Sequence, residues 1–361
     1  MDNLRDFSDL FLKEGDFHED TEEDEADLLT SNGTTTVRFC LAIEAQTKEK
    51  VICKVFDPLP LSKNLVTDEV VQEYCWYRQL MLLREALILN ELEHPAIVKF
   101  KGLNLYNTEI KFDAENKDSY PNPVIYLECL KNKSIESHIK RYVLNLPPVK
   151  RQICIIGISA AISFLHKRHV LHRSINPKTI WLDENFYPKI FDFSTSRQFN
   201  AEQDRPRTIL VDESVYYKAP ELFEKDYNSY NDEIDVFSLG RMIYLLVTGV
   251  EPFKHERDPE RTKSSFKLQY DIIHHEAKPF FPDNMSSNFT ELLKKCFDVT
   301  PLNRPSASDI YDAISKKEGY LIDGINSGKD LQEIKDYIHS IEQFEKDHPI
   351  SDKFFYYKLQ I

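Results

Sequence analysis

Side chains able to do chemistry crowd into a few short stretches of this chain. His166, His169 and His172 fall within HKRHVLHR, which runs straight on into Ser174-Ile175-Asn176-Pro177-Lys178-Thr179. The basic residues there read as a helix end and a loop, not as a metal or nucleic-acid site. A serine hydroxyl such as that of Ser174 carries no negative charge at neutral pH and cannot take up a proton as a carboxylate does. Lys54 stands in the strand-like run KVICKVF, and alone it would be an ordinary strand lysine. The six cysteines (40, 53, 75, 129, 154 and 296) are widely scattered, and no pair has metal-ligand spacing. Several lie among apolar neighbours, so they are expected to be reduced core residues of an intracellular protein.

The elements that must position these side chains change character along the chain. Residues 1–27 are rich in Asp and Glu and are expected to form a disordered, solubilising segment. Residues 34–45 and 50–56 read as strands around a polar turn, and 67–93 as a long helix or helix pair ended by His94-Pro95. Residues 97–103 and 124–128 read as further strands, with a polar insert at 107–123 between them. Helices are predicted over 134–141, 148–168, 230–246, 287–297 and 306–315, and short strands near 179–182 and 188–190. A charged tail follows Lys316, with an amphipathic helix expected over 331–344 and an aromatic stretch at 354–359.

Composition narrows the function further. The 361 residues are 41% hydrophobic, enough for a substantial core, and carry a formal net charge of −14. That balance argues against a nucleic-acid surface or an anchor on anionic lipid. No signal peptide and no membrane span are expected. The most lipid-like stretch, 153–165, is short and reads as a buried helix.

Several landmarks succeed one another in a telling order: VICK around Lys54, REALILNELEHP, HRSINPKT, Asp192-Phe193-Ser194, Ala219-Pro220-Glu221, DVFSLG and NRP. With these the chain resembles the protein kinase superfamily from about residue 29 to 320, and most nearly its tyrosine-kinase-like serine/threonine group. The resemblance implies an α+β, bilobal kinase fold. Its domain would span residues 28–320, with a β-rich N-lobe (28–128), a helical C-lobe (131–320) and a charged, partly helical tail at 321–361.

The resemblance also implies roles. Lys54 would reach the nucleotide phosphates and pair with Glu85. Leu89, Phe100, His172 and Phe193 would form the stack of side chains that bridges the lobes. Glu221 and Arg304 would form a buried ion pair, and Asp235 would hold the catalytic loop from below. Glu128 to Leu130 would be the hinge beside adenine, with Leu127 at the back of the pocket. Ile52 and Trp181 replace smaller residues above and below the adenine ring and are expected to crowd that slot.

The catalytic loop departs from the family pattern H-R-D-L-K-P-E-N. Ser174 stands at the general-base position, Asn176 at that of the loop lysine and Thr179 at that of the magnesium-binding asparagine. The phosphate-cradling loop has Thr30, Asn32 and Thr35 at its glycine positions, with Gly33 between them. Asp192 remains as the one expected magnesium ligand. Ser194 in place of glycine restricts the backbone beside it.

The expected function is therefore that of a pseudokinase, a non-catalytic signalling regulator or scaffold. Its partner would be another protein, an active kinase being one candidate. It would need no cofactor, weak ATP with magnesium being the alternative, and it would reside in the cytoplasm or nucleus. The competing expectation is an atypical active serine/threonine kinase whose magnesium is held mainly by Asp192. In the activation segment, Thr195, Ser196, Thr208 and Ser214, with Arg205, Arg207 and Arg173 nearby, are candidate phosphorylation and phosphate-pairing residues.

Overall fold

The computed structural model describes residues 17–19, 37–44, 46–56, 82–104, 124–198, 216–223, 231–274, 276–316, 319–325 and 327–349. The chain divides into two compact units, Met1–Glu93 with Val98–Leu130, and His94–Ile97 with Lys131–Ile361. The first is rich in strands and the second mainly helical, which is the bilobal α+β kinase-like architecture.

The first unit is built on an antiparallel sheet of strands β1 (Phe17–Glu19), β2 (Val37–Glu44), β3 (Lys50–Phe56), β4 (Phe100–Asn104) and β5 (Val124–Glu128). Their order is β1-β2-β3-β5-β4. The β2–β3 turn closes where the Lys48 N–H donates to the Glu44 carbonyl (2.9 Å), with Lys48 itself at φ 61°. β1 corrects one expectation. Phe17–Glu19 falls in the acidic stretch read as disordered, yet its backbone pairs with Ala42–Glu44. An open sheet edge offers unpaired N–H and C=O groups to any nearby strand, and composition does not report such pairing. The residues numbered 82–90 form helix α1.

In the second unit α2 (Pro148–His166) is the core helix. It is long and apolar enough to cross a membrane, but Gln152 through Leu165 are all buried inside the protein. α3 (Glu233–Thr248), α6 (Ala307–Lys316) and α7 (Gly328–Asp347) pack on it, while α5 (Ser287–Cys296) packs on α3. α4 (Ser265–Ile273) is a helix that the sequence reading left out. Cys154 and Cys296 are buried free thiols, Cys53 is buried and Cys129 is half-buried.

Two further readings need correction. Residues 134–141 are not a helix. A 3-10 turn at Ile135–His138 leads into a hairpin of β6 (Ile139–Lys140) and β7 (Val143–Leu144). Arg141 and Tyr142 make its turn at φ 50° and 72°, the conformation a two-residue hairpin requires, without the Gly or Asn that would announce it. The strand expected over 97–103 starts only at Phe100, because Ile97 pairs with Ile190 in the second unit. The charged tail carries α7 over the stretch where a helix was expected at 331–344, and α7 docks on α2. Tyr337 lies over Gly157, and Lys150 pairs with Glu333 at 2.5 Å.

Candidate active site

In the first unit the period of two along β3 sorts its side chains. Val51 and Cys53 pack with Ala42 and Tyr126 on one face. Ile52 and Lys54 therefore share the other face, paired across the ladder with Leu127 and Ile125. From there Lys54 Nζ reaches both carboxylate oxygens of Glu85 on α1, at 2.8 and 2.7 Å. Both side chains are 1% exposed. One turn along α1, Leu89 is buried too, and Phe100 opens β4 half-buried. Glu128 is tied into its own unit. Its carboxylate accepts the Lys99 N–H (2.8 Å) and its own N–H donates to the Lys99 carbonyl (3.0 Å). Leu130 beyond it is buried.

In the second unit Asp235, in the first turn of α3 and fully buried, accepts the backbone N–H groups of His172 (2.8 Å) and Arg173 (2.7 Å). The His166 ring nitrogen Nε2 lies 3.2 Å from the same carboxylate. Burial by itself would raise the pKa of Asp235. The hydrogen bond and charge of His166, the charge of His172 and the Arg173 N–H outweigh it and hold the carboxyl below its usual range. His166 was read only as part of a basic helix end. Its placement at the last turn of α2, one helix away in space but 69 residues away in sequence from Asp235, could not be seen from its neighbours. The strand β8 (Val170–Leu171) delivers His172, whose ring meets Phe193 edge to face at 4.8 Å.

The loop that follows is closed upon itself. The Thr179 hydroxyl donates to the Ser174 carbonyl (2.6 Å), and the Asn176 side-chain amide donates to the Ser174 carbonyl (3.1 Å) and hydroxyl (3.2 Å). Asn176 Oδ1 accepts the Lys178 N–H (2.9 Å). Ser174, Asn176 and Thr179 are all buried. Ser174, Asn176 and Thr179 are thus bonded to one another within the loop.

β9 (Ile180–Leu182) and β10 (Pro188–Ile190) form the hairpin beneath this loop. Trp181, in mid-strand, stacks on Phe191 (4.5 Å between ring centres, 19°) and donates its indole N–H to the Lys178 carbonyl (3.1 Å). The Phe191 N–H bonds the Thr179 carbonyl (2.8 Å), so Asp192 follows directly on the strand that flanks Thr179. Asp192 is held at φ 61° and accepts the Ser194 N–H at 3.3 Å. A non-glycine residue in that region stores strain, which persists only where its surroundings impose it. Among the described residues, no three His, Cys, Asp or Glu side chains converge as a metal set.

Downstream, Thr195 and Ser196 both donate their hydroxyls to the His172 carbonyl (3.0 and 3.3 Å), and Ser196 is fully buried. Neither is presented as an open modification site. Glu221 and Arg304 form the expected buried bridge, Nη1–Oε1 2.6 Å and Nη2–Oε2 3.0 Å. Arg304 also donates to the carbonyls of Glu233 and Asp298. The phosphate-cradling loop at 29–36, the insert at 107–123, the aromatic stretch at 354–359, and Arg205, Arg207, Thr208 and Ser214 lie outside the described residues.

Comparison with known proteins agrees with this geometry. A family model described as the protein kinase domain matches residues 36–313. Over 237 residues the chain is 31% identical to the cell cycle serine/threonine-protein kinase CDC5/MSD2 of Saccharomyces cerevisiae, covering 64% of this chain and 30% of that protein. It is 25% identical over 231 residues to the probable serine/threonine-protein kinase drkC of Dictyostelium discoideum, covering 63% of this chain and 28% of that protein. It is 26% identical over 249 residues to mitogen-activated protein kinase kinase kinase 3 of Arabidopsis thaliana, covering 69% of this chain and 36% of that protein. The chain thus spans about a third of the length of these relatives. The family match runs through both units and most of the sequence, over landmarks whose geometry is formed, and on that ground this chain belongs to the protein kinase domain family.

Proposed function

We propose that this member of the family is a pseudokinase that acts on another protein by shape and not by phosphoryl transfer. The observation that carries this reading is the closed loop Ser174–Asn176–Thr179. A positioned general base contributes about 10²–10⁴-fold to such a reaction, and a charge-stabilising donor about 10²–10³-fold. Here a hydroxyl stands for the base and a neutral amide for the cation. The side chains at both positions are already bonded within the loop.

A bound nucleotide would meet a partial set of partners. The Lys54–Glu85 pair is formed and Asp192 remains, so these residues fit a phosphate contact and one magnesium ligand. Magnesium with ATP would supply the transferable phosphoryl group and charge neutralisation. This chain supplies no carboxylate at position 174 to accept the proton of an attacking hydroxyl. Ile52 and Trp181, each larger than the family residue, add to the case against a normal adenine slot. We therefore favour a protein partner, an active kinase being one candidate, inside the cell, and keep the tyrosine-kinase-like group as the proposed subfamily.

The second reading, an atypical active kinase, is favoured by the same Lys54–Glu85 pair. One experiment separates the two. Transfer from γ-labelled ATP to the protein itself and to generic protein substrates is measured for wild type, Asp192→Ala and Ser174→Asp/Asn176→Lys/Thr179→Asn. The expected result is wild type equal to Asp192→Ala. Wild-type transfer that disappears in Asp192→Ala overturns the pseudokinase reading.

A further inference from the structure

The pairing of the β6–β7 hairpin sorts its side chains. Ile139 lies opposite Leu144, and Lys140 opposite Val143. Opposed residues share one face of an antiparallel ribbon. Leu144 is buried, whereas Lys140 and Val143 are exposed, so the second pair looks outward. Between them the two-residue turn carries Arg141 and Tyr142, both exposed and both at positive φ. Glycine or asparagine would hold that turn with less strain, so the tip keeps a cationic and an aromatic side chain at a cost. Its backbone is fastened to the loop after α3. The Leu144 N–H donates to the Gly249 carbonyl (2.7 Å) and the Glu251 N–H to the Tyr142 carbonyl (3.0 Å). The same loop brings up Lys254, whose ammonium lies 5.2 Å from the ring centre of Tyr142 and 5.5 Å from that of Tyr216. Among the described residues Lys140, Arg141 and Lys254 form no ion pair, not even Lys254 with the nearby Glu256. The carboxylate that acts on Lys254 is the half-buried Glu251; Glu136, which acts on Glu251, lies 3.9 Å from Lys178. With Glu136 and Lys178 offsetting each other, one carboxylate remains against three cations. These surround an exposed apolar pair, Tyr142 (46% exposed) and Val143 (52%).

We propose that this hairpin tip is a docking surface for an acidic segment of a partner protein, one that carries an apolar side chain among its carboxylates. The carboxylates meet Lys140, Arg141 and Lys254, and the apolar side chain packs on Tyr142 and Val143. Tyr and Arg are among the residue types that dominate the energetics of protein interfaces. The backbone bonds to Gly249 and Glu251 hold the tip in place before a partner arrives, which lowers the ordering cost of binding. The formal net charge of −14 selects a short segment over an extended polyanion such as nucleic acid, which the rest of the surface repels. Docking here does not depend on phosphoryl transfer, so it stands whether or not the pseudokinase reading does.

The test is fluorescence anisotropy of a labelled peptide, Glu-Glu-Leu-Glu-Glu-Phe-Glu-Glu-Leu, titrated with the full chain. The same peptide with Gln for every Glu is run beside it, at about 0.15 M salt, where remote charges are screened. Lys140→Glu/Arg141→Glu reverses the charge of the tip. Arg141→Asn/Tyr142→Gly removes both turn side chains while supplying residues that suit the turn, so the hairpin is kept. Lys329→Glu/Lys346→Glu makes the same change of charge on exposed positions of α7. Wild type is expected to bind the Glu peptide and not the Gln peptide. Each hairpin variant should bind at least about tenfold more weakly, and the α7 variant within about twofold of wild type. No binding by wild type at up to about 0.5 mM chain overturns the proposal. So do equal binding of the Gln peptide, unchanged binding in either hairpin variant, and an equal loss in the α7 variant.

Discussion

Replacing Lys54 by Met is the obvious way to disable a nucleotide site, but here it is first a stability experiment. Lys54 and Glu85 are each 1% exposed, and their two contacts of 2.8 and 2.7 Å form a bidentate pair. Lys54→Met removes the bidentate partner of a carboxylate that water cannot reach. Removing one partner of a buried ion pair costs about 3–5 kcal/mol, a large part of the 5–15 kcal/mol that holds a typical domain together. Glu85→Met removes the carboxylate facing the ammonium at similar cost. The double variant Lys54→Met/Glu85→Met removes both charges of the pair, and apolar replacements of whole buried pairs are often neutral or stabilising. It should therefore unfold at a higher urea concentration than either single variant. The assay is urea denaturation followed by far-ultraviolet circular dichroism, with all four proteins analysed as a double-mutant cycle. Single variants within about 1 kcal/mol of wild type, or a double variant whose cost is the sum of the two, would refute the reasoning. If it holds, loss of partner binding in Lys54→Met alone says nothing about nucleotide.

The remaining predictions concern the second unit. His94 is buried between Phe164 and Phe344, with its Nδ1 accepting the Ala96 N–H at 3.0 Å. Burial, then the charges of Arg168, Lys189 and Lys167, lower its pKa to about 3. Its ordinary value in the unfolded chain is about 6.5, so the unfolded state binds the proton more readily. The contribution is fully present above about pH 6.5 and is lost as the pH falls towards 3, amounting to about 2 kcal/mol by pH 5. His94→Asn keeps an acceptor for Ala96 and should flatten the fall in melting temperature between pH 7 and 5; an unchanged slope counts against the buried neutral imidazole. In α2, a methyl group on Gly157 would meet the Tyr337 hydroxyl and, at 2.5 Å, the Pro188 ring. Gly157→Ala gains about 1 kcal/mol of helix propensity but forces an overpacked contact costing about 1–3 kcal/mol. A net loss of thermal stability is expected, and a stabilised variant would show that α7 does not press on α2 there.

How much of this was legible from the chain depended on the range of the interaction. β3 was read with its observed ends, and β9, β10, α3, α5 and α6 within a few residues, because each is declared by local periodicity and nearby breakers. The 3-10 turn and hairpin at 135–144 were not legible, since Arg141 and Tyr142 adopt positive φ without a residue type that favours it. The same limit hid β1, whose pairing depends on a strand more than fifteen residues away. It also hid the role of His166, whose carboxylate partner lies on another helix.

The residue types alone carry the proposal about what the loop at 172–179 lacks. A serine, an asparagine and a threonine cannot become a carboxylate, an ammonium and a longer metal ligand in any conformation. Only the folded chain decided what those residues do instead. Chain reversal within a few residues brings the Ser174 carbonyl, the Asn176 amide and the Thr179 hydroxyl into mutual hydrogen-bond range, and burial away from water makes each of those bonds necessary. Only the fold, likewise, placed Lys254 beside the rings of Tyr142 and Tyr216, a placement to which its neighbours in the sequence give no clue. Chemical identity is carried by each residue singly, whereas charge balance and hydrogen-bond satisfaction belong to sets of residues that meet only when the chain has packed.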